Sequence, residues 1–271
     1  MILVTGISGN LGQAIFQYLK THGADVTGGT RNHDGSAQTQ TRTLDFDDPQ
    51  TLALDDVSTL VFVSAGTAED DVVIGRHQNL ITAAEKAGVG HIIYTSLADH
   101  GDHLGFALAH RWTERRIQEG SIPWTILRNG LYAELIGQLL TPVDGVITAP
   151  FGNRGVAAIP RQDLAEAAAN IALAPKKHAG QVYNLPGTRA ITAKQVADRL
   201  GTDYRPQTMA GLRSSLDAAG LLPFQPDMLM SIHSAASYGF LEDTTDTITS
   251  LLNRAPLDPL IIAANSARQV G

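Results

Sequence analysis

The chain has 271 residues, 43% hydrophobic and 17% charged, enough for one large core or a core with a smaller attached lobe. Its formal net charge of −7 leaves no basic face for nucleic acid, although a few arginines and backbone N–H groups suffice to hold a small anion. Cysteine is absent, which excludes disulfides, a thiol nucleophile and thiolate metal sites, and no apolar run approaches the roughly 18 residues of a membrane span. The N-terminal Met1-Ile2-Leu3-Val4 has no basic flank of the kind a signal peptide carries, so the expectation is a soluble, cytoplasmic protein with no membrane partner.

Ile2–Thr5 is a short apolar run, read as a first strand, and glycines break it at once. Leu11, Ile15, Phe16 and Leu19 then recur at helical spacing. Asp25–Thr30 reads as a second strand and Thr41–Phe46 as a weaker third. Leu60–Ser64 is a fourth, apolar without alternation, as expected when both faces are covered. Ile74, His77, Leu80, Ile81, Ala84 and Ala87 lie on one helical stripe that stops at Gly88. His91–Ser96 is a fifth strand, a helix runs over about 104–118, and Trp124–Asn129 is a sixth strand. This alternation predicts right-handed crossovers and a Rossmann-type α/β fold, a doubly wound, mostly parallel sheet with helices on both faces.

Past Asn129 the rhythm breaks. Residues 141–163 are loop-rich and suggest a small hairpin. Asp163 and Glu166 have capping-box spacing for a helix through Ala174, and Gln181–Leu185 reads as a further strand. Thr192 and Gln195 form a second such box, opening a helix that ends at Leu200-Gly201. The remainder is helical and irregular, punctuated by Pro206, Pro223 and Pro226. The expected organisation is a dinucleotide-binding domain over 1–130 and a smaller C-terminal α/β lobe over 131–271, with at least one element returning to the sheet.

In the opening "VTGISGNLG" each glycine has its own role. Gly6 turns the chain out of the strand, Gly9 lets backbone approach a pyrophosphate, and Gly12 lets the helix pack closely. The helix N-terminus offers N–H groups and partial positive charge to the phosphates. An NAD-specific site usually ends its second strand in an acid; here Arg31 stands there, and a guanidinium can grip a 2′-phosphate, which favours NADP(H) over NAD. A solvated surface arginine is the alternative. Asp45 would sit near the adenine, unless it is an ordinary turn acid.

With "VTGISGNLG", "TRN", "HIIYTSL" and "TILRNGLY", the chain resembles the NmrA-like atypical short-chain dehydrogenase/reductases. Within them it is most similar to the type 2 NAD(P)H:quinone oxidoreductases and the triphenylmethane reductases. "AAEKAGVGHIIYTS", "IPWTILRNGLY" and "IPRQDLAEAAA" extend the likeness, which weakens after about Thr202. The resemblance implies NADPH across the carboxyl edge of the sheet, a substrate between the lobes, and a monomer or homodimer. It puts Gly6, Ser8, Gly9, Asn10, Leu11 and Gly12 at the pyrophosphate and Arg31 at the 2′-phosphate. Ser64, Ala65 and Gly66 would follow the ribose, with Tyr94, Thr95 and Ser96 ending the fifth strand. Asn129, Gly130, Leu131, Tyr132, Ala133 and Glu134 would wall the nicotinamide and substrate cleft, and Arg161 would reach toward the cofactor.

A short-chain dehydrogenase that reduces ketones uses a Tyr with a Lys four residues on. Four residues after Tyr18, Tyr94, Tyr132, Tyr183, Tyr204 and Tyr238 stand His22, Ala98, Ile136, Gly187, Thr208 and Glu242, so the dyad is absent. An electron-poor quinone or dye can take hydride directly, leaving the protein to position two flat rings in a dry pocket. His110 and Tyr132 are the candidate catalytic residues, with Ser96, Phe106 and Trp112 shaping the pocket; core packing is the alternative for the aromatics. His110 matches a histidine common in the family and could donate a proton, or be structural. Arg115 stands where relatives carry Lys and cannot shuttle a proton. His100 and His103 lack metal spacing, and no metal is expected. The function expected is an NADPH-dependent oxidoreductase acting on a quinone-like small-molecule electron acceptor; the alternative is a non-catalytic NADP(H)-binding redox sensor.

Overall fold

Short runs of β-branched and aliphatic residues supply a seven-stranded sheet in the order β3-β2-β1-β4-β5-β6-β9. The computed structural model describes residues 1–31, 40–65 and 68–269. Along the first half run β1 (Ile2–Val4), α1 (Asn10–Thr21), β2 (Val26–Thr30), β3 (Thr41–Thr43), β4 (Thr59–Val63), α2 (Asp70–Ala87), β5 (Ile92–Leu97), α3 (Ala107–Gln118) and β6 (Trp124–Asn129). Then follow α4 (Ala133–Leu139), β7 (Val146–Ala149), β8 (Gly155–Val156), α5 (Arg161–Leu173), β9 (Gln181–Leu185), β10 (Ile191–Thr192), α6 (Ala193–Leu200) and β11 (Asp203–Pro206). Helices α7 (Met209–Asp217), α8 (Gln225–Ser237), α9 (Thr247–Leu252) and α10 (Pro259–Gln269) complete the described chain.

The strand pairs β2–β3, β1–β2, β1–β4 and β4–β5 are all parallel. β9 runs the same way as β6, because Gly180 N–H reaches Trp124 O at one end and Gly130 N–H reaches Leu185 O at the other. The fold is therefore the doubly wound, Rossmann-type α/β arrangement, and its strand order turns back between β1 and β4. Leu3, Leu60, Phe62, Leu80, Ile81, Ile92 and Tyr94 fill the core between the sheet and α2. Helix α2 ends at Gly88, whose left-handed φ of 68° a side chain would resist.

The chain divides into two compact units, and the division is interleaved rather than a single cut. The first holds residues 1–97, 108–128 and 164–183; the second holds 98–107, 129–163 and 184–271. In the second unit the hairpin that the loop-rich sequence suggested is reduced to one tight turn, where Val143 and Val146 exchange backbone hydrogen bonds at 2.9 and 3.0 Å around Asp144 and Gly145, both at positive φ. β7 pairs in parallel with β11, and β8 pairs antiparallel with β10, so each finds a partner about 35 to 57 residues away. The capping box at Thr192 and Gln195 forms in full. The one read at Asp163 does not: α5 has already begun at Arg161, and the buried Asp163 carboxylate accepts from Arg254 Nη2 at 2.8 Å and from Leu257 N at 2.8 Å. An acid spaced like a cap is here the anchor of a distant loop.

Helix α4 lies against α10 so closely that a Cβ at Gly137 would press on the Ala263 carbonyl and sit 2.9 Å from Ser266 Cβ. Gly137→Ala is therefore expected to destabilise the protein by about 1–3 kcal/mol through overpacking. The urea midpoint measures this, and an unchanged midpoint would mean the two helices part without cost.

Candidate functional site

Where the strand order turns back, Thr5 laces β1 to β4. Its backbone N–H donates to Val61 O at 3.0 Å, and its buried hydroxyl accepts from Val63 N at 2.9 Å and donates to Val63 O at 3.3 Å. Open doubly wound sheets bind ligands outside the carboxyl ends of their strands at this reversal. The loop leaving β1 passes through Gly6 at φ 64°, and Gly9 N–H closes it on Gly6 O at 2.9 Å. A Cβ at Gly12 would strike Gly6 O and approach Thr5 O to 2.7 Å, so only glycine lets α1 start this close to the loop. Among the described residues no side chain caps α1, and its first turn carries no acid. The exposed stretch Ser8-Gly9-Asn10 thus leads into a helix start suited to an anion, while Leu11 turns its side chain into the core and can offer only backbone.

The first two residues after β4 are held from beneath. Ser64 N–H donates to Thr95 Oγ1 at 3.1 Å, and Ala65 N–H donates to His77 Nε2 at 3.1 Å. Thr113 gives its hydroxyl proton to Ala109 O at 2.7 Å, so the 2.7 Å contact between His77 Nδ1 and Thr113 Oγ1 must be donated by the histidine. With Nδ1 protonated and Nε2 accepting, His77 is a neutral imidazole of fixed tautomer. Burial pushes its pKa down to about 3, and Phe62 packs edge-on against its ring at 4.8 Å. Sequence reading placed His77 merely on the core stripe of α2; a lone histidine on an apolar face gives no signal of what its nitrogens hold. Gly66 lies outside the described residues.

The side chains of Tyr94, Thr95 and Ser96 turn inward. The Tyr94 phenol, buried and raised in pKa by that burial, lies 3.0 Å from His110 Nδ1, and burial lowers His110 to about 4. Ser96 donates to the buried Glu114 at 2.5 Å. Glu114 also takes Arg111 Nη1 at 2.8 Å, and Arg128 Nε at 3.0 Å and Nη2 at 2.5 Å. Two guanidiniums compensate the one buried carboxylate, as a charge out of water requires. Nothing in the "TERR" segment foretold that Glu114 would point inward.

At the end of β2, Leu44 N–H pairs with Thr30 O at 2.9 Å, which sets exposed Arg31 beside the turn that follows β3. Asp45 is partly spent on that turn: its Oδ1 accepts Asp47 N–H at 3.0 Å. Asp47 in turn receives Arg76 of α2 through Nε at 2.8 Å and Nη2 at 2.7 Å.

In the second unit, Glu134 takes Arg161 N–H at the start of α5, both carboxylate oxygens lying at 3.2 Å. The Arg161 guanidinium stacks over the Tyr132 ring, 4.8 Å from its centroid. Burial raises the Tyr132 phenol, with Arg161 opposing and Glu134 adding to the rise. Leu131 and Ala133 are buried, and Gly130 has Leu185 O and Pro186 Cα at its back, so these three present backbone only. Asn129 is buried, and its Oδ1 accepts no hydrogen bond among the described residues. Ser64 Oγ, beside the Tyr94 phenol, is likewise without a hydrogen bond of ordinary geometry. Within the first unit, a helix start shaped for an anion beside the polar loop at Ser64 fits a phosphate-bearing ligand better than an apolar one.

Comparison with known proteins identifies the family of this chain. Residues 6–175 match the model of a family described as NAD(P)H-binding. The chain is 33% identical to quinone oxidoreductase 2 of Escherichia coli strain K12, over 93% of each chain. It is 27% identical to the NmrA-like family domain-containing oxidoreductase flvB of Aspergillus flavus, over 95% of this chain and 92% of the relative. The structure of the triphenylmethane reductase of Citrobacter sp. complexed with NADP(H) superposes with a TM-score of 0.87 at 27% identity, covering 98% of this chain and all of that one (100%).

His77 makes stability depend on pH in a stated direction. Below about pH 6.5 the unfolded chain binds a proton at this histidine that the folded chain refuses, so stability falls as pH drops toward 3. The expected contribution is about 1.4 kcal/mol per pH unit. His77→Gln keeps an acceptor and a donor without the titration, and urea unfolding at pH 7 and pH 5 should show a correspondingly shallower loss. Equal losses in both proteins would mean that His77 is not held neutral.

Proposed function

The chain belongs to the NAD(P)H-binding family, and on that footing we propose that it is an NADPH-dependent oxidoreductase that passes hydride directly to a quinone or a similarly flat, electron-poor acceptor. Bound NADPH supplies the hydride. The protein's own part is to bind, orient and keep water away. Residues 6–12 take the pyrophosphate on backbone N–H groups, and Arg31 takes the 2′-phosphate. Ser64 and Ala65 follow the ribose on the loop that His77 and Thr95 hold in place. In the second unit, Asn129, Tyr132, Glu134 and Arg161 are assigned to the nicotinamide and acceptor.

One observation carries the direct-transfer reading: neither candidate acid–base group titrates near neutrality. His110 is lowered to about 4 and Tyr132 is raised, each by burial first, so both are neutral between about pH 5.5 and 9. Neither has the pKa near working pH that efficient proton transfer calls for. Together with the missing Tyr–Lys dyad, this assigns His110 and Tyr132 to positioning.

Steady-state NADPH oxidation over a panel of quinones, dyes and aldehydes tests the proposal. Quinones and dyes should be reduced and simple aldehydes not, with kcat flat between pH 5.5 and 9. His110→Ala and Tyr132→Phe should each lower kcat/KM about tenfold, whereas losing a general acid would cost about 10²–10⁴. Tight NADPH binding without oxidation by any quinone or dye would turn the reading to a sensor. For the cofactor, Arg31→Ala removes a charge-assisted contact of about 1.5–3 kcal/mol, so NADPH should bind tenfold weaker or worse while NADH is nearly unchanged. Equal losses for both would remove Arg31 from the 2′-phosphate.

A further inference from the structure

The neighbourhood of Arg31 is acidic. Asp45, Asp47 and Asp48 follow β3 directly, and β3 pairs with β2 in the register Thr30↔Thr43, which brings that acidic turn alongside Arg31. A carboxylate there has two ways to defeat a 2′-phosphate. It can pair with Arg31 itself, or it can repel the phosphate dianion at close range. Asp47 is exposed in that turn; Arg76, and to a lesser extent Arg31, hold its carboxylate pKa down. Its carboxylate is nonetheless committed elsewhere. Arg76 grips it with Nε at 2.8 Å from Oδ1 and 3.0 Å from Oδ2, and with Nη2 at 2.7 Å from Oδ2. Asn79, one turn further along α2, donates to Phe46 O at 2.9 Å and fastens the backbone of the same turn. The two-point grip fixes direction as well as charge, which a lysine could not do.

We propose that Arg76 is a specificity-determining residue for the 2′-phosphate: by holding Asp47 in a two-point pair on α2, it keeps that carboxylate from occupying Arg31 and from repelling the phosphate. The inference rests on the reading that Arg31 meets the 2′-phosphate. Arg76 acts through Asp47 and is a positioning residue. It sets the balance between the two cofactors and has no part in hydride transfer.

Isothermal titration of the full chain with NADPH and with NADH tests this, using Arg76→Met, Asp47→Asn and the double variant. Arg76→Met should weaken NADPH about three- to tenfold and leave NADH within about twofold, an effect of the size expected for partly exposed charges. The difference should shrink at about 0.5 M salt, where screening reaches only a few ångströms. The double variant should recover the wild-type NADPH affinity, because the carboxylate that Arg76 restrains is gone. Asp47→Asn alone, which keeps Arg76, should bind NADPH as tightly as wild type or a few-fold tighter. Equal weakening of both cofactors by Arg76→Met, no recovery in the double variant, or weaker NADPH binding in Asp47→Asn would each overturn the proposal. Arg31→Ala separates the two readings. If it leaves the NADPH preference intact, the Arg31 assignment fails; if it abolishes the preference while Arg76→Met does not change it, the Arg76 proposal alone fails.

Discussion

Thr5 ties β1 to β4 where the strand order turns back, and the positions of the surrounding loops descend from that seam. A buried hydroxyl that both donates to and accepts from Val63 leaves the two strands no freedom to part at their carboxyl ends. From one side departs the glycine turn, whose shape Gly6 permits and whose approach to α1 Gly12 permits. From the other departs the loop at Ser64 and Ala65, whose N–H groups are fixed by Thr95 and His77. The glycine turn and the Ser64-Ala65 backbone are therefore set before any ligand arrives, which lowers the ordering entropy that binding must overcome.

The polar groups beneath these loops follow one rule: what is buried is either neutral or compensated. His77 and His110 stay uncharged because burial opposes their protonation, and Tyr94 stays uncharged because burial opposes its ionisation. Glu114, by contrast, is buried beside Arg111 and Arg128. Buried groups that stay neutral near pH 7, as His77, His110 and Tyr94 do, suit positioning more than proton traffic.

The fold was largely legible because its signals are local. Unbroken apolar runs such as Leu60–Ser64 and periodic stripes such as Ile74–Ala87 report strand and helix whatever surrounds them. The glycine turn was legible for the same reason, since strand, turn and helix occupy adjacent residues. What escaped sequence reading depends on partners distant in the chain. Asp163 has cap spacing, but Arg254 and Leu257 lie more than ninety residues on. The loop-rich stretch after Thr141 suggests a small hairpin, and the tight turn at Val143–Val146 is there, but β7 and β8 take their strand partners from β11 and β10 far along the chain. The inward turn of Glu114 and the tautomer of His77 follow from neighbours that no window of sequence contains, and the Arg76–Asp47 pair spans two elements for which only the fold supplies a shared edge.

The interleaving of the two units bears on how the molecule comes to exist at all. On a ribosome the chain emerges from its N-terminus, and β6 is complete once Asn129 is free. Its outer neighbour β9 ends only at Leu185, more than fifty residues later. Until then β6, "WTILRN", is an open edge, half of it apolar, offering an unpaired ladder of N–H and C=O groups to any other strand nearby. At a synthesis rate of about 5–20 residues per second, that interval lasts about 3–11 seconds. During it the nascent sheet is at its most adhesive, open to pairing with any exposed strand.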